Sequence, residues 1–188
     1  MSAARTPTTP RNAGLANESF ARPMIALHWL IAIAIIAMLC IGFYMGSLPR
    51  GLPFKSTLTN FHKSLGITIF LLVLLRIWAR SAYGRPPLPP MQTWQRAAAS
   101  ITQALLYVGM IGMPLSGYLG SSFNKFGTKF WGLPLPQWGW DDKAIRHIFF
   151  SIHEYLAWML IALIALHFLG AMKHQFIDRD GLLRRMWP

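Results

Sequence analysis

Four histidines, His28, His62, His153 and His167, lie inside or at the edges of long apolar segments. An imidazole in hydrocarbon is costly, so such a side chain normally pairs, relays protons or ligates. His153 and His167 share one segment and stand fourteen residues apart. On an α-helix that spacing is about 1400°, roughly 40° short of four turns, with a rise of about 21 Å. Both rings therefore leave one helix face, one near each surface of a hydrocarbon layer about 30 Å thick. That geometry suits two cofactors stacked across a membrane. Haem is the cofactor that takes two axial histidines inside a helical bundle.

The elements that must position these rings are legible in the composition. The 188 residues are 54% hydrophobic and only 13% charged, too apolar for an ordinary soluble domain. Met24–Met45 carries no charge in 22 residues, Ala98–Phe123 none in 26, and Ile148–Met172 only Glu154 in 25. A fourth run, Leu58 to about Trp78, is interrupted by His62, Lys63 and Arg76. These runs predict four transmembrane helices over about 24–45, 58–80, 98–120 and 145–173. They belong to one domain, 20–188, after a Thr-, Pro- and Ala-rich arm, 1–19, expected to be disordered.

A net charge of +12 would point to nucleic acid in a soluble protein. Here the basic residues flank apolar runs, where they set membrane orientation, and no nucleic-acid role is expected. Arg5, Arg11, Arg22, Arg76, Arg80, Arg85, Arg96, Lys173, Arg179, Arg184 and Arg185 fall on one side. Arg50, Lys55, Lys63, Lys125, Lys129, Lys143 and Arg146 fall on the other. Eleven against seven places both termini in the cytoplasm, and the Ser121–Asp142 link outside. The first apolar run is too long for a signal-peptide core and reads as an uncleaved anchor. Arg85-Pro-Pro-Leu-Pro-Pro is a stiff link. Cys40 is the sole cysteine, expected to pack in the core, and without Cys-x-x-Cys-His a covalent c-type haem is excluded.

With both ends inside, His28 and His167 lie near the cytoplasmic surface, and His62 and His153 near the outer one. Depth thus pairs His28 with His167 and His62 with His153. The residue four positions after each is Ala32, Gly66, Ala157 or Ala171, small enough to let a flat macrocycle approach the helix. Other readings of the histidines are hydrogen bonds between helices and a proton relay. A relay would be expected to bury carboxylates, and Glu154, near an interface, is the one candidate. A zinc site would cluster its ligands at one depth. His174, about 10 Å beyond His167 on the same face, is either a quinone-site residue or an ordinary interfacial one. His147 is expected on the outer surface. Arg76 either pairs with a haem propionate or, by default, snorkels to lipid phosphate.

Five segments together resemble the bacterial cytochrome b561 family over about residues 20–188. They are Ala26-Leu-His-Trp-Leu, Phe61-His-Lys-Ser-Leu-Gly, Met113-Pro-Leu-Ser-Gly-Tyr, Ile152-His-Glu-Tyr-Leu-Ala-Trp, and Ala165-Leu-His-Phe with Lys173-His-Gln-Phe-Ile-Asp-Arg-Asp-Gly-Leu-Leu-Arg-Arg-Met. The resemblance implies a di-haem b protein of the inner membrane, with His28, His62, His153 and His167 as axial ligands to haem iron. The family includes a superoxide:ubiquinone oxidoreductase and is related to haem-bearing membrane subunits of hydrogenases and dehydrogenases. Related sequences often carry a histidine early in the third helix, where this chain has Gln103.

The expected fold is therefore an all-α, antiparallel four-helix membrane bundle enclosing two haem b groups. The expected function is single-electron transfer between the quinone pool, ubiquinone or another quinone, and an outer donor or acceptor. That outer partner is a periplasmic redox protein or superoxide. The alternatives are a self-contained superoxide oxidase and a haem-bearing anchor subunit.

Overall fold

The computed structural model describes residues 19–49, 51–87 and 91–187. The N-terminal arm apart from Ser19, with Arg5 and Arg11, lies outside the described residues, as do Arg50 and the end of the proline link. The order is α1 (Arg22–Ser47), α2 (Pro53–Tyr83), α3 (Thr93–Ser122), a short hairpin of β1 (Lys129–Phe130) and β2 (Leu133–Pro134), and α4 (Lys143–Lys173). A π-helical turn, His174–Asp178, and a 3-10 turn, Leu183–Met186, follow. All four helices are long and apolar enough to cross a membrane.

Local chemistry starts these helices. Proline opens the first turn of α1 and of α2, where its missing N–H is no loss. The Gln95 side chain accepts from the Gln92 N–H ahead of α3 (3.0 Å), and Asp142 Oδ1 accepts from Ala144 and Ile145 N–H at the start of α4 (2.9 and 3.0 Å).

The core is slight. Ile31, Ile69 and Val73 form its buried centre, whereas Ile33, Ile36, Trp78, Val108 and Leu169 are exposed. An apolar surface of that extent belongs against lipid, and the helices satisfy their own backbone groups there. The molecule is an all-α membrane four-helix bundle. Cys40, expected in the core, faces outward and is a free thiol. An apolar bilayer makes that exposure inexpensive.

Hydrocarbon supplies no hydrophobic drive between helices, so close backbone approach has to supply dispersion instead. On α3, glycines form the track that receives α4. A Cβ built at Gly109 would stand 2.7 Å from Leu160 Cδ2, one at Gly112 3.3 Å from Leu156 Cδ1, and one at Gly120 3.1 Å from Phe150 Cδ1. α3 packs most closely on α4, α1 packs on α2, and α2 meets α3. Among the described residues, α1 and α2 approach α4 at few backbone positions.

The hairpin explains the polar residues in the first half of α2. Trp131 (φ 48°) and Gly132 (φ 95°) form a two-residue turn with both residues left-handed, a strained conformation for tryptophan. α2 holds it there. Trp131 N–H donates to Ser64 Oγ (3.0 Å), and its indole N–H donates to Thr68 Oγ1 (3.1 Å). Ser64 Oγ donates to the Lys129 carbonyl (3.2 Å), and Lys63 Nζ donates to the Gly127 carbonyl (2.9 Å). Lys63, Ser64 and Thr68 are thus a docking track for the link that follows α3.

The opposite end of the bundle, where α1 begins and α4 ends, here called the terminal end, is strapped by the segment that follows α4. Trp29 Nε1–H donates to the Met186 carbonyl (2.7 Å), Phe20 N–H to the Arg185 carbonyl (3.1 Å), and the buried Arg185 to the Pro87 carbonyl (2.5 Å).

Candidate functional site

The four membrane histidines meet in two pairs, each joining α4 to the α1–α2 half. His28 of α1 faces His167 of α4 with ring centres 6.2 Å apart and planes at 79°. His62 of α2 faces His153 of α4, also at 6.2 Å, with planes at 66°. The first pair lies toward the terminal end, the second toward the hairpin end. Their α4 members are separated by about 21 Å of helix rise. His28, His62 and His153 are half-buried, and His167 is exposed. Among the described residues no hydrogen bond joins the two rings of either pair, and the buried His62 Nδ1 has no hydrogen-bond partner.

His153 is the most tightly specified ring. Its Nδ1 lies 2.9 Å from the Met113 carbonyl and 3.3 Å from Ser116 Oγ, which itself donates to the Met113 carbonyl at 2.9 Å. A carbonyl only accepts, so Nδ1 carries the proton and Nε2 keeps a free lone pair. This is how a second-sphere carbonyl prepares an imidazole for a metal. Gly117 makes room for the ring, since a Cβ there would stand 3.0 Å from His153 Cε1. Gly42 of α1 faces His62, where a Cβ would make only an ordinary contact, 3.5 Å from Cε1.

Arg76 departs from the expectation that it reaches out to lipid phosphate. Its Nη2 lies 3.4 Å from His28 Nδ1, and its Nη1 donates to the Tyr107 hydroxyl of α3. Arg80 donates to the same hydroxyl (3.5 Å) and to Gln103 Oε1 (3.4 Å). Both guanidinium carbons lie over the Tyr107 ring, 5.5 and 5.4 Å from its centre. The ring gives the cations a polar and π-rich anchor inside the bundle, which lipid headgroups would otherwise have to supply. Gln103 therefore anchors Arg80.

His174 is not brought to either pair. Its Nδ1 lies 2.6 Å from Asp180 Oδ2 and 3.3 Å from Asp178 Oδ2, and Lys173 Nζ donates to Asp178 (2.5 Å to Oδ2). It lines a cavity of about 710 Å³ with Met91, Gln92, Thr93, Gln95, Asp178 and Asp180. His147 and Glu154 are exposed, and among the described residues neither makes a ring contact, hydrogen bond or ion pair with the four paired histidines.

The model of one family, described as "Prokaryotic cytochrome b561", matches residues 19–188. The chain belongs to that family. As a cytochrome b561 family member it is a transmembrane haem b electron-transfer protein of a bacterial membrane. It is similar to "Cytochrome b561 homolog 2" of Escherichia coli K12, 30% identical over 187 residues, covering 95% of this chain and 92% of the relative. "Cytochrome b561 homolog 1" of the same strain is 29% identical over 174 residues, covering 90% and 97%. A Yersinia pestis protein named "Probable superoxide oxidase CybB" is 28% identical over 170 residues, covering 87% and 93%.

Sequence reasoning missed the residues behind the rings, namely the Met113 carbonyl, Ser116, Gly117 and Gly42. Met113-Pro-Leu-Ser-Gly-Tyr stood out as a segment. Pro114 inside a helix, with Ser116 and Gly117 about one turn after Met113, was the signal in it. The small residues one turn after each histidine lie on each ring's own helix, whereas the residue that clears the His153 ring, Gly117, lies on α3. Gly117→Ala should crowd a ring that its bond to Met113 prevents from retreating, costing about 1–3 kcal/mol. Thermal unfolding and the visible spectrum of the purified protein would both register it, and an unchanged pair of measurements would show that the ring has room.

Proposed function

We propose that the protein carries single electrons across the membrane on two haem b groups, one held by His28 and His167 and one by His62 and His153. The observation that carries this reading is the shared 6.2 Å spacing of the two pairs. An iron bound by two imidazole nitrogens at about 2 Å each holds the ring centres about 6 Å apart. The all-imidazole donor set, the orphaned His62 Nδ1 and the separation of α4 from α1 and α2 support the same fit. Bound there, haem b supplies reversible one-electron chemistry.

The protein's own part is position and exclusion. Met113 fixes the His153 tautomer, Gly117 leaves that ring space, and α3 keeps α4 in register. With two protein ligands per iron, binding of dioxygen at the metal is disfavoured and outer-sphere transfer is favoured. The terminal end is the cytoplasmic side in this reading, and the cavity beside His174 is the quinone site. Quinone reduction consumes protons as well as electrons. His174, with Nδ1 held by Asp180, keeps Nε2 for exchange with a quinone oxygen, and Gln92, Thr93 and Gln95 offer further polar contacts.

A second reading, a superoxide oxidase that reduces ubiquinone, draws on the name of the Yersinia pestis relative and on the charge at the hairpin end. Lys125, Lys129 and Lys143 are exposed there, whereas Lys63 is engaged by Gly127 and Arg146 by Asp141. Exposed cations can draw in a small anion that gives up one electron and leaves as dioxygen. They serve equally to dock an acidic periplasmic protein. The general electron-transfer reading stays ahead because it needs only the haems. In the third, anchor-subunit version the same haems serve a dehydrogenase or hydrogenase.

Alanine at His28 or His167 should remove one haem, and alanine at His62 or His153 the other. A pyridine haemochrome assay should return two haems per wild-type chain, and one per chain would overturn the pairing. Alkaline phosphatase fused to the C terminus should be inactive if that end is cytoplasmic, and activity would reverse the orientation. If superoxide is the donor, stopped-flow haem reduction should be fast and slow with rising salt, since exposed charges are screened within about 10 Å at 0.1 M. Neutralising Lys125, Lys129 and Lys143 together should slow it about 10-fold or more and flatten the salt dependence. Slow, salt-indifferent reduction would leave superoxide out.

A further inference from the structure

We propose that Arg76, supported by Arg80, makes the histidine pair at the terminal end the more readily reduced of the two, so that electrons entering at the hairpin end settle beside the His174 cavity. The inference rests on the two-haem reading and adds a direction to it.

The charge around the two pairs is unequal. At the terminal end, Arg76 Nη2 lies 3.4 Å from His28 Nδ1, and Arg80 shares its Tyr107 anchor. The groups that hold these two cations, the Tyr107 hydroxyl and ring and the Gln103 amide oxygen, are all neutral. Among the described residues the ion pairs join Arg146 to Asp141, Lys173 to Asp178, and His174 to Asp178 and Asp180, so no carboxylate offsets Arg76 or Arg80. At the hairpin end, His153 rests on a neutral carbonyl and a hydroxyl. The nearest charges in sequence there are of opposite sign. Lys63 is drawn away to the Gly127 carbonyl, and Glu154 is exposed.

Taking up one electron turns ferric iron to ferrous, breaks no bond, and lowers the charge of the group by one. A fixed cation nearby favours that state. Arginine remains charged throughout, and within the bundle the interaction is weakly screened by salt. With Nε2 given to the iron, His28 Nδ1 carries the proton and offers Arg76 no lone pair, so Arg76 would turn from Nδ1 onto a carboxylate of the bound group, where it would cancel a negative charge that otherwise opposes reduction. Arginine inside a membrane helix is expensive. Arg76 nonetheless turns inward instead of snorkelling.

The test is a potentiometric titration of the purified holoprotein followed in the visible spectrum, beside Arg76→Gln, Arg76→Lys and Arg80→Gln. The haem count of each is measured first. His62→Ala, which holds only the terminal-end group, assigns the components. In the wild type the terminal-end group should have the higher potential. Arg76→Gln should shift its reduction equilibrium about 10-fold or more toward the oxidised form, about 59 mV for a one-electron couple. The hairpin-end group should stay in place. Arg76→Lys should keep most of the wild-type value, and Arg80→Gln should shift the same component by less. If Arg76→Gln loses a haem, Arg80→Gln and Arg76→Lys carry the comparison. Unmoved potentials with both haems bound, or a wild type whose terminal-end group has the lower potential, overturn the inference. A wild type with one haem instead overturns the reading beneath it.

Discussion

A polar ring in hydrocarbon needs a partner, and in this protein that requirement falls on the interface where α4 faces α1 and α2. The helices there approach at few backbone positions, and the imidazoles reach across. Elsewhere the helices are joined by close contact. The interface around the histidines is different in kind. Its spacing is set by side chains, two ring pairs each 6.2 Å apart, which join α4 to the α1–α2 half of the bundle.

That arrangement is useful only if α4 is held still. Gly109, Gly112, Gly117 and Gly120 bring α3 close to α4 between Phe149 and Leu160, and the last contacts reach His153 and Phe150 themselves. A helix backed in this way can present two rings about 21 Å apart with little freedom to slide. The Met113 carbonyl adds the tautomer to what the packing fixes. Support thus comes from a helix that contributes no histidine, a division of labour between scaffold and ligand.

The two ends of the bundle differ more than their histidine pairs do. The hairpin end is covered by a turn docked on Lys63, Ser64 and Thr68, with exposed lysines around it. The terminal end carries two inward arginines, a tail tied to Trp29 and Pro87, and the His174–Asp180 pair beside a polar cavity. An electron carrier with unlike ends has the means to take electrons from one kind of partner and give them to another.

By itself the sequence determined the membrane class, the four spans and which histidines share an end of the bundle. Those follow from apolar run length and from 1.5 Å of rise per residue, both local properties. It left open which neighbours each ring would meet, because contacts between helices depend on how each is rotated about its axis, and periodicity is weak in helices apolar all round. Tertiary structure alone turned Arg76 toward His28, put Gly117 behind His153, gave Lys63, Ser64 and Thr68 a hairpin to hold, and joined Asp180 to His174. Cys40, placed in the core by composition, faces outward for the same reason. In a bilayer both faces of a helix are apolar, so hydrophobicity tells the chain where to cross and only packing tells it which way to turn.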